Sequence, residues 1–324
     1  MTSFATTDKP ASLLSVAGNR AARIPMVWAL VLLVFATGQL YDNFWSRANL
    51  NNMLQQNVPL ALVAIGMTYV IIAGGFDLSV GAIFAGGAIT YARSSSSVPT
   101  ALGLALVVGF GVLAGVLNGL LVARFRINAF VATLGSASIL YGIVNLMADS
   151  GSIRIDSPAY LFLRDRWFSV SMSVYIMVPT FVVAGQLLSR STFGRSVYAA
   201  GGNYEAARLA GVRVRRTVAL TFVMVGALAA LAGAVLASQI GVAQPNYGAS
   251  MPLDAIAAVI IGGTALTGGE GAVWRSAVGV MILAVINNLF SALTLDPALQ
   301  NIIKGSIVVI AVGFDRWSAS HRSS

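Results

Sequence analysis

Seven long stretches of this chain carry almost no charged side chain, and they constrain its fold more than any other feature. Crossing about 30 Å of bilayer hydrocarbon takes roughly 20 residues of α-helix, each of which adds about 1.5 Å. The stretches are Ile24–Leu40, Leu50–Ala73, Ala101–Ala123, Ala129–Ala148, Val170–Leu188, Val218–Ile240 and Val273–Leu295. They predict an all-α polytopic membrane protein.

The composition agrees with that class and excludes two others. Of the 324 residues, 57% are hydrophobic and only 10% are charged, whereas a soluble domain carries about a quarter charged residues. The chain therefore has too few charges to cover a water-facing surface. A membrane β-barrel is excluded because its strands alternate apolar and polar side chains, and these stretches are continuously apolar.

Three further apolar stretches are short for an ordinary span: Leu78–Ala92, Leu253–Leu266 and Ile302–Phe314. Each can be a half-helix, a re-entrant segment or a full span with polar ends. We expect about ten transmembrane helices, and eight remains possible if two adjacent short stretches do not cross. The chain then divides into a tail over 1–23, one transmembrane domain over 24–315 and a tail over 316–324.

The basic residues sort unevenly between the two sides of such a membrane domain. If all ten stretches cross and the N-terminus is cytoplasmic, the cytoplasmic side holds 14 of the 20 basic residues, the opposite side holds 5, and Lys304 lies within the last stretch. The cytoplasmic set is Lys9, Arg20, Arg23, Arg124, Arg126, Arg190, Arg195, Arg208, Arg213, Arg215, Arg216, Arg275, Arg316 and Arg322. Cytoplasmic loops carry such an excess. We therefore expect a multi-pass membrane protein with both termini cytoplasmic, and no nucleic-acid partner.

Side chains for covalent or metal chemistry are scarce. The chain has no cysteine, and its single histidine, His321, lies in the last four residues. A disulfide, a thiolate nucleophile and a cysteine-type metal site are all excluded. We expect no catalytic residue and no bound metal.

The stretch "GGFDLSVG", residues 74–81, places an aspartate inside an apolar region. Gly74 and Gly75 can stop a helix, and Asp77 before the next apolar run is a candidate N-cap. One interpretation is that Asp77 does no more than cap a short helix starting at Leu78. Alternatively the break lies at membrane depth, where irregular backbone is tolerated only inside protein or beside a water-filled cavity, so it lines or gates a path. Both can hold together.

Other polar residues occur inside or beside the spans, among them Ser79, Asn118, Asn128 and Thr133. Hydrogen bonding between helices is the ordinary explanation for each. Ser79, Asn128 and Thr133 are the ones we place, with the glycine break, along a candidate translocation path.

A second glycine-rich segment follows a similar order of features. Residues 64–87 and 255–279 both read as an apolar run, a glycine-rich break and an apolar run, an order compatible with a weak internal repeat. The second segment lacks the Gly-Lys-Ser/Thr ending of a phosphate-binding loop. It is interpreted as a helix break or tight turn on the cytoplasmic side.

The most informative polar loop is "SRSTFGRSVYAAGGNYEAARLAGVRVRRT", residues 189–217. Gly201, Gly202 and Asn203 can stop one helix and cap the next. The following run holds Glu205, Ala206, Ala207, Leu209, Ala210 and Gly211. A basic loop can bind anionic lipid headgroups, but a small apolar face with no span to serve favours docking to a cytoplasmic partner.

Together these segments resemble the permease subunits of bacterial monosaccharide ABC importers of the ribose/xylose type. The resemblance starts with "NLNNMLQQNVPLALVAIGMTYVI" and "GGFDLSVG" and continues through "INAFVATLGSASILYGI" (127–143), "TFGRSVYAAGGNYEAARLAGVRV" (192–214) and "IAAVIIGGTALTGGEGAV" (256–273). It covers nearly the whole chain after the N-terminal tail. One departure is Phe76, where the family usually has isoleucine; the break itself is intact.

The resemblance implies a role for the 189–217 loop and a set of partners. Glu205, Ala206, Ala207 and Gly211 match the family's Glu-Ala-Ala-x-x-x-Gly pattern, which forms the coupling helix seated in the ATPase. The implied partners are a cytoplasmic ABC ATPase that uses the ATP, a periplasmic sugar-binding protein, a second permease copy or paralogue, and a monosaccharide. The chain itself would not be an enzyme.

Two other functions compete with this interpretation. An ion-coupled secondary transporter of a small polar solute usually carries charged residues inside its long spans, and here Asp77, Asp254, Glu270 and Lys304 sit near short or broken segments instead. A membrane-embedded enzyme is disfavoured by the lack of cysteine, of histidine within the spans and of paired carboxylates at helical spacing.

Overall fold

The computed structural model describes residues 24–41, 43–296, 298–306 and 313. All seven predicted long stretches are helical, which confirms an all-α membrane protein. The helices are α1 (Ile24–Leu40), α2 (Arg47–Ile72), α3 (Val80–Ser94), α4 (Thr100–Gly119), α5 (Ala129–Met147), α6 (Met172–Arg190), α7 (Thr192–Gly202), α8 (Tyr204–Leu209), α9 (Val214–Ile240), α10 (Met251–Ile261) and α11 (Val273–Ala292). Residues 298–306 are also helical.

Shorter elements join these helices. A π-helical turn, Leu120–Arg124, prolongs α4, and a 3₁₀-helix spans Pro158–Arg164. The strands are β1 (Ile153–Arg154), β2 (Arg166–Trp167), β3 (Val170–Ser171) and β4 (Val242–Ala243). Within the described residues, six helices are long and apolar enough to cross a membrane: α2, α4 with its π-turn, α5, α6, α9 and α11.

The predicted stretch 78–92 becomes α3, a 15-residue helix in the centre of the molecule. Its side chains are buried except at Thr90 and Arg93, and it packs against α4, α5 and α9. The close packing depends on small residues, because a side chain at Gly87 would overlap the backbone of Ala230 in α9. This short helix is thus shielded from lipid by the longer helices around it.

The outer surface of the bundle is apolar. Leu113 on α4, Leu146 on α5 and Val183 on α6 are largely exposed, Leu146 at 80%. Contiguous exposed apolar surface of this kind is rare on soluble monomers. Lipid contact accounts for it, since in a bilayer such side chains face hydrocarbon.

The connections fall on two faces of the bundle. We call the face that carries 191–213 the loop face; it also holds 73–76, 125–128 and 262–272. The other face, which we call the opposite face, holds 95–99, 148–171 and 241–250. There β1 pairs antiparallel with β4, with Ile153 opposite Ala243, and Tyr160 donates a hydrogen bond from its hydroxyl to the carbonyl of Val98 at 2.9 Å.

Of the other two short stretches, the structure describes one in full and the other only in part. The stretch predicted over 253–266 is the 11-residue helix α10, which ends at Ile261, ahead of the glycines. The stretch predicted over 302–314 is helical as far as 306, and the rest of it lies outside the described residues. The two predicted tails, 1–23 and 316–324, also lie outside them.

Candidate functional site

The helix break predicted at 74–81 is present. α2 ends at Ile72, Gly74 adopts φ 84°, and α3 begins only at Val80. The prediction that the next helix starts at Leu78 is therefore wrong by two residues. The reason is local: Asp77 turns the chain by accepting a hydrogen bond from the backbone N–H of Ser79 at 2.9 Å, so Ser79 is the N-cap residue.

Asp77 sits at the centre of a buried polar cluster. Its carboxylate is fully buried, and its Oδ1 accepts from the Ser79 hydroxyl at 2.5 Å as well as from the Ser79 amide. Asn118 on α4, also fully buried, donates from Nδ2 to the Ser79 hydroxyl at 2.6 Å. The chain Asn118, Ser79, Asp77 thus connects α4 to the break ahead of α3.

Two acceptors of this cluster are left without a protein donor. Asp77 Oδ2 and Asn118 Oδ1 are buried and have no hydrogen-bond partner among the described residues. A buried acceptor without a donor costs about 1–3 kcal/mol, and more when it is charged. The break therefore contains polar groups that the local fold does not fully satisfy.

Thr133 joins the same cluster, and Asn128 does not. Thr133 Oγ1 on α5 accepts from the Leu78 amide at 3.1 Å and donates to the Ala129 carbonyl at 2.7 Å. Asn128 is exposed on the loop face, where its Oδ1 caps α5 by accepting from the Phe130 amide at 3.0 Å. Of the polar candidates, Asp77, Ser79 and Thr133 gather at the start of α3, together with Asn118, which the sequence marks only as a polar residue within a span.

On the loop face, five glycines bring three segments into backbone contact. We call this contact the glycine junction; it consists of Gly74, Gly201, Gly202, Gly268 and Gly269. The Gly269 amide donates to the carbonyl of Ile72, the last residue of α2, at 2.8 Å. A Cβ at Gly201 would overlap that same carbonyl, and a Cβ at Gly268 would lie 3.1 Å from Gly74 Cα. The ends of α2 and α7 and the 262–272 segment therefore meet with no room for a side chain at Gly201 or Gly269.

The junction also joins the two glycine-rich breaks that follow the same order in the sequence. α2 leads through 73–79 into α3, and α10 leads through 262–272 into α11. The helix, break, helix order predicted for both segments is confirmed. Their contact through Ile72 and Gly269 could not be read from the sequence, because these residues are far apart along the chain.

Side chains fasten α7 to the second break. The Tyr198 hydroxyl on α7 donates to the Gly271 carbonyl at 2.8 Å. Burial raises the pKa of the Tyr198 phenol above its ordinary value, with a smaller opposing effect from the charge of Arg275, so this donor stays protonated at neutral pH. Arg275 is nearly buried and donates from Nη1 to the Gly263 carbonyl at 3.0 Å, while Glu270 lies 3.8 Å away.

The predicted helix stop and cap at 201–203 are confirmed. α7 ends at Gly202, and Asn203 Oδ1 accepts from the Ala206 amide at 2.9 Å, so Asn203 is the N-cap of α8. At the other end Gly211 has φ 84°, and the Val212 amide returns to the Ala207 carbonyl at 3.0 Å. This left-handed ending is typical of a glycine helix stop.

The sequence predicts one small apolar face on α8, but its apolar residues lie on two different sides of the helix. Ala207 is only 6% exposed and packs against the rest of the chain, whereas Leu209 is 78% exposed and Ala206 and Ala210 lie on the surface with it. Glu205 and Arg208 form an ion pair at 2.8 Å on the same short helix. The exposed side of α8 therefore consists of Ala206, Leu209 and Ala210, and Ala207 lies on its inward side.

A cavity of about 350 Å³ lies between α8 and the first break. Its lining includes Gly74 and Gly75 from the break, Tyr204 and Glu205 from α8, and Arg126 after α4. The cavity thus adjoins both α8 and the segment that leads to Asp77.

A bundle of apolar helices with two glycine-rich breaks, the first of which carries a buried polar cluster, is typical of a membrane transport protein. The family model described as "Branched-chain amino acid transport system / permease component" matches residues 49–312. The chain belongs to this family of transport-system permeases.

Individual relatives match over nearly their whole length. The ribose import permease protein RbsC of Haemophilus influenzae is 36% identical over 295 residues, covering 89% of this chain and 91% of the relative. RbsC of Bacillus subtilis is 37% identical, covering 89% and 90%. The L-arabinose transport system permease protein AraH of Escherichia coli is 32% identical, covering 90% of both. No solved structure matches this chain.

These comparisons confirm the resemblance drawn from the sequence. The chain is a permease subunit of the ABC importer type, and the alternative of an ion-coupled secondary transporter is not supported. As in its relatives, the subunit is a transport component, and ATP hydrolysis belongs to a separate subunit.

Proposed function

We propose that this chain forms the path by which a monosaccharide, delivered by a periplasmic binding protein, crosses the bacterial inner membrane. The names of its relatives refer to ribose and L-arabinose, so a neutral sugar of this size is the proposed substrate class. The description of the family model names branched-chain amino acids instead, and the test below separates the two.

The proposed topology has ten crossings, with both termini and the loop face in the cytoplasm. The ten segments are α1 to α6, α9 to α11 and the segment that begins at 298. The excess of basic residues in the cytoplasmic loops supports this orientation, because it is the asymmetry that positive-inside sorting produces. The binding protein would then reach the opposite face, where 148–171 and 241–250 lie.

The proposed site for the ATPase is α8 and the residues around it. Leu209, Ala206 and Ala210 form a small apolar surface in an otherwise basic loop, and Leu209 in particular projects into solvent. Burying a leucine of this exposure against a partner would contribute about 1.5–3 kcal/mol. We propose that the ATPase covers it, and that a second permease copy or paralogue completes the transporter.

The single observation that carries the coupling is the glycine junction. Gly201 and Gly202 terminate the helix just ahead of α8, and their backbone contacts both Ile72 and Gly269. Any displacement of α7 and α8 by the ATPase is therefore passed directly to the ends of both breaks. Closely packed backbone cannot absorb such a movement by side-chain rotation.

The proposed gate is the start of α3. The first break runs from the glycine junction to Asp77, whose hydrogen bonds to Ser79 hold the first turn of α3. Moving the end of α2 pulls on this segment and rearranges a cluster in which Asn118 and Thr133 tie it to α4 and α5. The cavity beside Gly74 and Tyr204 is the proposed cytoplasmic end of the path.

Reconstitution tests this function. Proteoliposomes would contain the chain with its ATPase, ATP on the ATPase side, and the purified binding protein loaded with labelled D-ribose, L-arabinose or L-leucine. We expect ATP-dependent uptake of at least one sugar and none of leucine. Uptake of leucine alone, or sugar uptake driven by an ion gradient without ATP, would overturn the proposal.

A further inference from the structure

A further cavity lies on the opposite face and has no role in the coupling described above. Its volume is about 570 Å³, within the range of about 300–1,000 Å³ that ligand pockets occupy. The lining residues are Tyr141, Asn145, Ser150, Gly151, Ser152, Gln244, Pro245, Asn246 and Ala249.

Local structure gives the cavity defined walls. β1 pairs with β4 so that Ile153 faces Ala243, and the residues next in register, Ser152 and Gln244, lie at the same end of this ladder. Asn145 on the last turn of α5 donates from its side chain to the Tyr141 carbonyl at 2.8 Å, which leaves its side-chain oxygen as an acceptor. Polar groups from three segments thus converge on one space.

The lining combines apolar surface with uncharged polar groups and includes no charged side chain. Its side-chain groups are hydroxyls and amides from Tyr141, the two serines, the two asparagines and Gln244. Such groups both donate and accept hydrogen bonds, as sugar hydroxyls do. A zwitterionic amino acid would bring an ammonium and a carboxylate with no opposite charge in the lining to receive them, and unpaired charges are costly to bury.

The inner end of the cavity reaches the start of α3. An ideal Cβ at Gly81, the second residue of α3, would lie 2.8 Å from the Tyr141 hydroxyl. Gly81 follows Asp77 by four residues. The cavity floor therefore adjoins the segment that we assign to the gate.

We propose that this cavity is a transient binding site for the neutral monosaccharide on its way from the binding protein to the gate. The proposal rests on the proposed function and deepens it, since it assigns the outer part of the path to Tyr141, Asn145, Gln244 and Asn246. These residues discriminate in favour of polyhydroxylated neutral solutes and against amino acids.

The first test fills the cavity. In the complete reconstituted transporter, Ala249→Trp is compared with Ala105→Trp, which adds the same side chain at an exposed position of α4 outside the lining. The readout is labelled sugar transported per ATP hydrolysed, with hydrolysis stimulated by the loaded binding protein. We expect Ala249→Trp to lower this ratio at least tenfold and Ala105→Trp to leave it unchanged.

In a second test the cavity is blocked by a chemical label after the transporter has folded. Misfolding therefore cannot cause a loss of sugar transport in this test. Because the chain has no cysteine, Asn246→Cys supplies a unique thiol. Its control is Ser96→Cys, at an exposed position of the 95–99 turn that is on the same face and outside the lining. Transporters assembled with each variant are treated with a membrane-impermeant maleimide. We expect the sugar-to-ATP ratio to fall in Asn246→Cys alone.

The outcomes separate the two proposals. If the parent transports no sugar, the proposed function fails. If the parent transports sugar and both blocked variants keep the parent ratio, the cavity assignment fails. It also fails if ATP hydrolysis and uptake fall together at constant ratio, since the cavity would then be only a contact for the binding protein.

Discussion

The backbone N–H of Gly269 donates a hydrogen bond to the carbonyl oxygen of Ile72 at 2.8 Å. Ile72 ends the helix before the first glycine-rich break, and Gly269 lies in the second. Both lie against Gly201 of the polar loop. One hydrogen bond therefore ties together the two interruptions of the bundle beside the loop we assign to coupling, and a movement of any one of the three segments displaces the others.

The glycine junction predicts that alanine substitutions at the adjacent residues Gly201 and Gly202 differ sharply in their effect on stability and uptake. A Cβ at Gly201 would overlap the Ile72 carbonyl, whereas a Cβ at Gly202 has no atom within 4 Å. We expect Gly201→Ala to destabilise the junction by about 1–3 kcal/mol, as overpacking does, and to lower uptake. Gly202→Ala is the matched control and should behave as the parent. The measurements are sugar uptake in proteoliposomes and thermal stability in detergent; equal behaviour of the two variants contradicts the junction's role.

The Asp77 cluster predicts that an amide can replace the carboxylate better than a methyl group can. Asp77→Ala removes the acceptor for both hydrogen bonds of Ser79. A hydrogen bond to a charged group contributes about 1.5–3 kcal/mol, so α3 loses its ordered start and transport falls. Asp77→Asn keeps one acceptor oxygen and adds a donor, so it should retain much more uptake. Equal loss in both variants, with normal insertion, would mean that the charge itself is required.

The sequence predicts the long helices well because span length and apolar continuity are properties of single segments. It also predicts the Asn203 cap and the break at 74–81, since capping and glycine stops act over a few residues. The two-residue error at the start of α3 arises because Asp77 forms a turn with Ser79 ahead of the helix.

Contacts between distant segments account for what the sequence does not reveal. That Asn118 completes the Asp77 cluster depends on how α4 packs against α3, and that Ala207 faces inward depends on how α8 lies on the bundle. The opposite-face cavity is missed for the same reason, because its lining comes from α5, the 150–152 turn and the 244–249 segment, which only the pairing of β1 with β4 brings together.

The proposed orientation predicts which positions are accessible from outside intact cells. With no native cysteine, single-cysteine variants can be labelled without background. We expect a membrane-impermeant maleimide to label Ser152→Cys on the opposite face and to leave Thr192→Cys and Ser320→Cys unlabelled until the membrane is permeabilised. Labelling of Thr192→Cys and Ser320→Cys in intact cells would invert the topology.

The ending of α8 predicts a backbone effect at Gly211. Its φ of 84° is a left-handed conformation, which costs a residue with a Cβ about 1–2 kcal/mol and a β-branched residue more. No atom lies within 4 Å of an added Cβ there, so strain alone is tested. Gly211→Val should reduce uptake more than Gly211→Asn, since asparagine tolerates this conformation. If valine and asparagine support equal uptake, the geometry of this turn is irrelevant to transport.

The outward side of α8 predicts a loss of ATPase assembly without a loss of folding. Leu209 is 78% exposed and Ala207 only 6%, so truncating Leu209 removes apolar surface from the proposed interface while the chain's own packing is untouched. Burying a leucine is worth about 1.5–3 kcal/mol, so Leu209→Ser should weaken co-purification of the ATPase by roughly tenfold or more. Ala207→Leu overpacks the inward side instead, and we expect it to lower the thermal stability of the isolated chain as well as uptake. If Leu209→Ser retains the ATPase, its stimulated hydrolysis and uptake at parent levels, the docking role is wrong. The loop would then contact lipid instead.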